Sequence, residues 1–126
     1  KIRLLGLTEN VELLGFLDGA PKYEIFKQSR VMVHPATYDS GGMAAAEGMA
    51  WRLPGVSFDL EALKTYYPQG MVKIPCYDEQ AFAEAICRLL DDPAHYAEES
   101  QKAYELILNV WDWKKRSERV WAQVGL

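Results

Sequence analysis

Between Val31 and Trp51 the chain reads as a buried strand, Val31-Met32-Val33-His34-Pro35, then a glycine turn, Tyr38-Asp39-Ser40-Gly41-Gly42, then a helix. A short apolar strand running straight into a helix is the unit of parallel α/β sheets, so this stretch narrows the fold more than any other. From Met43 to Trp51 there is one charge, Glu47, among apolar residues and glycine. A helix apolar all round is buried, and a buried carboxylate without a partner is very costly. Glu47 is therefore expected to meet either an internal partner, Arg52 being one candidate, or a ligand in a cleft. Eight residues before it stands a second carboxylate, Asp39, on the turn that opens the helix. Asp39 can serve as a helix N-cap or as a ligand contact. Gly41 and Gly42 can be a plain turn device or can leave bare N–H groups at a helix N-terminus, a ready anion site. Carboxylate, bare amides, carboxylate: the layout suits a ligand carrying a sugar, a phosphate and a second polyol.

The flanking sequence continues the alternation. Lys1 to Leu7 reads as a helix tail with Gly6 near its C′ position. Val11 to Leu17 reads as a strand. Pro21 to Gln28 is a short helix, with Pro21 acceptable in the first turn. Gly42 to Arg52 is the helix after the turn, and Gly55 to Phe58 and Met71 to Ile74 are short strands. Glu79 to Leu90 is amphipathic, with Phe82, Ile86, Leu89 and Leu90 on one stripe. Pro93 to Val110 is a longer helix, and Lys114 to Val124 a last one anchored by Val120 and Trp121. The fold class expected is α/β, a Rossmann-like parallel sheet with flanking helices.

Composition removes several function classes. At 126 residues and 49% hydrophobic content the chain can bury a core as one domain, residues 1–126. A net charge of −4, with no basic cluster longer than Lys114-Lys115-Arg116, argues against nucleic-acid binding. Cys76 and Cys87 lack metal-ligand spacing and are expected to be free buried thiols in a reducing, cytoplasmic setting. No apolar run approaches the length of a membrane span.

Taken together, the strand, Gly15-Phe16-Leu17, the strand ending in Pro35, Asp39-x7-Glu47, Glu47-Gly48-Met49-Ala50 and Pro54-Gly55-Val56-Ser57-Phe58-Asp59 resemble a known family. They look like the C-terminal, nucleotide-sugar-binding domain of retaining GT-B glycosyltransferases of family 4. The resemblance runs to Trp113, where the family has an aromatic before its last helix. It implies a sugar moved from a nucleotide-diphosphate sugar to an acceptor, with retention. A diverged, non-catalytic module for nucleotide binding or assembly is the alternative. By resemblance, Glu47 accepts from the ribose hydroxyls. Asp39 is the catalytic-side carboxylate holding hydroxyls of the transferred sugar. Ser40, Gly41, Gly42 and Met43 bind the sugar and diphosphate. Oriented amides suit a leaving group that gains charge in the transition state. No cofactor beyond the donor is implied, and no metal, since there is no Asp-x-Asp sequence. The partners implied are the nucleotide sugar, an unknown acceptor and the family's N-terminal domain, through which the membrane periphery is reached. Three positions depart from the family pattern: Asp39 stands for Glu, Ser40-Gly41-Gly42 for Gly-Phe-Gly, and Arg52 for a small residue.

Other residues carry less. His34 is read as a core histidine with a cleft role as the alternative, and His95 as a surface residue. Tyr66 and Tyr67 either line the cleft or pack the core. Trp111, Trp113 and Trp121 are expected to pack the terminal helix. In the family's strand order, 3-2-1-4-5-6, Val11 to Leu17 is strand 3 and the next three strands are 4, 5 and 6. Strands 1 and 2 are not in this sequence. The gap is expected to close in one of three ways: strand 3 moves beside strand 4, two chains pair or swap through the open edge as a dimer, or upstream residues fill it.

Overall fold

The computed structural model describes residues 1–125. Three strands form one parallel sheet in chain order: β1 (Met32–His34), β2 (Gly55–Phe58) and β3 (Met71–Ile74). Met32 pairs with Gly55 and Gly55 with Met71, and the register runs in step to Phe58 and Ile74. The parallel α/β sheet read from the sequence is therefore present, and its strands neighbour each other as strands 4, 5 and 6 would. All four residues of β2 are buried, as a central parallel strand covered on both faces must be.

Helices fill the connections: α1 (Gly19–Gln28), α2 (Met43–Ala50), α3 (Glu61–Tyr66), α4 (Glu79–Asp91), α5 (Pro93–Leu106) and α6 (Trp113–Val124). A π-helical turn, Ile107–Trp111, extends α5, so the long helix read over Pro93 to Val110 widens its hydrogen-bonding period after Leu106. One face of the sheet carries a core of Ala45, Ala46, Met49, Leu63, Tyr67, Met71, Ala103 and Leu106. The other carries Val56, Phe58, Phe82 and Leu89 under α4, with the Phe58 and Phe82 rings edge-on at 5.1 Å.

Several expectations are corrected. Val11 to Leu17 is no strand. It has no strand beside it to pair with, and Leu13 and Phe16 are 83% and 94% exposed. An alternating segment without a ladder has nothing to satisfy its backbone but water. The segment therefore does not move in beside β1, whose outer edge carries no strand among the described residues. The first residues form a short 3-10 turn, Arg3–Leu5, ended by Gly6 in the left-handed region as read. The helix read from Gly42 to Arg52 stops at Ala50. Arg52 takes φ 62°, its N–H donates to Met49 O and that of Leu53 to Gly48 O, closing the last turn in a Schellman pattern. Helix α3 was not legible in the sequence. Trp113, Val120 and Trp121 of α6 are exposed rather than anchoring, because α6 is held by Arg119 and Lys115 bonding carbonyls of the π turn. Both cysteines are free, but exposed rather than buried. No helix among the described residues is long and apolar enough to cross a membrane.

Candidate functional site

The loop between β1 and α2 is folded around Asp39. One carboxylate oxygen, Oδ1, accepts from the Gly41 N–H at 2.8 Å and the Gly42 N–H at 2.6 Å. The other lies 2.6 Å from His34 Nε2 in a hydrogen bond. Asp favours this local bond to its own backbone, which turns the chain before a helix. Gly42 then caps α2 in the left-handed region, φ 60° and ψ 42°. A Cβ there would stand 3.0 Å from both Leu63 Cδ2 and Tyr67 Cε2, so the position needs glycine for conformation and for space.

The Gly41 amide, first, holds the Asp39 carboxyl below the usual aspartate value of 3.8; burial opposes, and the Gly42 amide and His34 add to the lowering. A depressed folded value means that Asp39 stabilises the fold above the unfolded value and ceases to as pH falls through the folded one. Asp39→Asn should therefore melt below the parent at neutral pH, and the gap should close under acid below 3.8. Melting curves across that range check this; a gap that stays constant with pH contradicts the bonding of the carboxylate.

Helix α2 is not buried all round. Ala45, Ala46, Gly48 and Met49 face the core, whereas Met43, Ala44, Glu47 and Ala50 face outward. Small residues let the helix lie close on the sheet while its other side stays open. Glu47 is thus exposed, its side chain at 47%, and accepts from Lys22 Nζ of α1 at 3.0 Å. Lys22 also stands 3.8 Å from Asp18. Arg52 is not the partner of Glu47: its guanidinium lies 3.9 Å over the Tyr104 ring and donates to Gln101. Among the described residues nothing accepts from the amides of Met43 and Ala44.

The residues read as a site therefore come together in part. Asp39, Ser40, Gly41, Gly42 and Met43 share one loop at the C-terminal end of β1, the end where open parallel sheets hold ligands. Glu47 follows one turn on, on the same helix face as Met43 and about 6 Å further along the axis. The two glycine amides are not bare, since Asp39 fills them. The Lys22–Glu47 pair, 25 residues apart, left no local sign in the sequence. The link from His34 to Asp39 was also missed, though a histidine at the strand end five residues before a turn carboxylate is a usable signal. Tyr67 proves to be fully buried, whereas Tyr66 is partly exposed. A mostly apolar cleft of about 480 Å³ between Pro35, Phe58, Tyr77 and Phe82 holds none of the site residues.

Residues 1–92 match the glycosyl transferases group 1 family. The chain is similar to alpha-D-kanosaminyltransferase of Streptomyces kanamyceticus, 28% identical over 90 residues, which is 70% of this chain and 23% of that protein. Its fold is similar to that of sucrose-phosphate synthase from Thermosynechococcus elongatus, with a TM-score of 0.83 at 23% identity, over 98% of this chain and 32% of that one. The chain thus spans less than a third of the length of either.

Proposed function

We propose, given that this chain belongs to the glycosyl transferases group 1 family, that the exposed face of α2 and the loop before it bind a nucleotide-diphosphate sugar as donor. The observation that carries this is the placing of the exposed Glu47 carboxylate one turn beyond the partner-free amides of Met43 and Ala44, on one helix face. In this reading the ribose hydroxyls donate to Glu47, which can accept from two at once. The diphosphate lies at the helix N-terminus, where N–H groups and the helix dipole favour negative charge. Ser40 is exposed at the loop's tip beside it.

Asp39 is the sugar-side carboxylate. A carboxylate offers about four acceptor sites; three are taken by Gly41, Gly42 and His34, which leaves one on Oδ2 for a sugar hydroxyl. The leaving diphosphate gains charge as the glycosidic bond breaks, and amides already pointed at it stabilise that charge without reorganising. Transfer with retention, to an acceptor held by another domain, completes the reading.

Calorimetric titration with nucleoside diphosphates of different bases tests the donor site, with the Met43 and Ala44 amide resonances as local reporters. Binding that moves those two amides is the expected result; a folded protein that binds none of the diphosphates refutes it. One observation favours a second reading, a non-catalytic nucleotide-binding or assembly module: Asp39 is folded back on its own loop. Diphosphate binding without any transfer, once an acceptor-binding domain is supplied, would support that reading.

A further inference from the structure

Beneath the glycine loop lies a tyrosine with no assigned role. Tyr67, the residue after α3, is fully buried, and its hydroxyl donates to Gly42 O at 2.7 Å, with Gly41 O at 3.0 Å. We propose that Tyr67 is a positioning residue that aims the Met43 amide at the ligand; the proposal rests on the donor-site reading above. The geometry follows from the peptide bond. In a trans peptide the C=O of one residue and the N–H of the next point in opposite directions. Drawing Gly41 O onto the hydroxyl turns the Gly42 N–H away from it, toward Asp39 Oδ1 at 2.6 Å, and drawing Gly42 O onto the hydroxyl turns the Met43 N–H away from it. Among the described residues nothing accepts from the Met43 amide, which leaves it free for a ligand.

The anchor itself is held on every side. The Tyr67 ring stacks on Trp111 of the π turn, 5.5 Å between centroids at 12°. Its N–H donates to Leu63 O at 2.9 Å, and its carbonyl accepts from Lys73 Nζ. The ring edge fills the space that a side chain at Gly42 would need. Burial, and then the charge of Asp39, push ionisation of the phenol up, so it remains a donor at neutral pH. The helical connection α3 and the π turn, far from the loop in sequence, thus act together as the backing of the loop.

Tyr67→Phe keeps the ring and removes the donor. Inorganic pyrophosphate serves as the probe, followed by calorimetry, and the Gly42 and Met43 amide resonances are compared without ligand. The expected result is about fivefold weaker pyrophosphate binding, equivalent to the removal of one ordinary hydrogen bond, with those two amides displaced and those of α4 unmoved. A merely structural role would lower the melting temperature without this local signature. Parent affinity together with unmoved Gly42 and Met43 resonances overturns the proposal. If the parent protein binds no pyrophosphate, the donor-site reading falls, and the amides alone judge Tyr67: unmoved resonances overturn its role, displaced ones retain it as the loop's orienting residue. Should Tyr67→Phe fail to fold, Trp111→Phe keeps the hydroxyl and loosens its backing; a smaller displacement of the same two amides is expected, and none refutes the proposal.

Discussion

Gly70→Ala should lower the melting temperature by more than about 10 °C. Gly70 precedes β3 at φ +73°, and a Cβ there would lie 2.4 Å from both the Cα and the N of Ala103, and 2.8 Å from its Cβ. The obstacle is helix backbone, which cannot rotate away as a side chain can. Ala103 is fully buried in α5, and Gly70 O accepts from the Gly55 N–H at 3.2 Å, so moving the loop would break its tie to β2. A left-handed alanine costs about 1–2 kcal/mol, and overpacking a tight core adds about 1–3 kcal/mol. At about 4 °C per kcal/mol for a chain of this size, the two together correspond to about 8–20 °C, and the middle of that range exceeds the stated shift. Circular dichroism melts check it, and a drop of only a few degrees would mean that α5 does not sit on this loop.

The second large effect is on binding and leaves the fold nearly alone. Glu47→Gln should weaken nucleoside diphosphate binding at least about tenfold while the melting temperature hardly moves. Hydrogen bonds to a charged group are worth about 1.5–3 kcal/mol each, and about 1.4 kcal/mol is a factor of ten. Within the protein the substitution weakens the half-exposed pair with Lys22, and such pairs contribute about 0–1 kcal/mol. Unchanged affinity in a folded Glu47→Gln protein would remove Glu47 from the site.

The contrast between these two positions reflects what each level of structure encodes. The order of strands and helices along the chain was legible, because apolar runs and turn residues are local signals. Val31 to Pro35, Gly55 to Phe58 and Met71 to Ile74 each hold a strand in the place read, and a parallel sheet in chain order follows from the helices between them. The loop carrying Asp39, Ser40, Gly41, Gly42 and Met43 was likewise legible, since carboxylate and glycine spacing is a property of neighbours in sequence.

What depended on distant parts of the chain was not legible. Val11 to Leu17 has the pattern of a strand, but a strand exists only when another lies beside it, and pairing is no property of the segment. Helix α2 reads as buried because alanine, glycine and methionine look apolar. Such small side chains carry little signal of which face packs, and only packing against Met32, Leu63 and Tyr67 settles it. That packing turned Glu47 outward toward Lys22 and left two amides open at the helix start. It also brought Tyr67 under the glycine loop from a position 25 residues away. Local pattern was enough for the three strands, for most of the helices and for the turn residues of one loop. Which side of that loop stays open came from the assembled fold, because direction in space is set by packing between elements that do not adjoin in the chain.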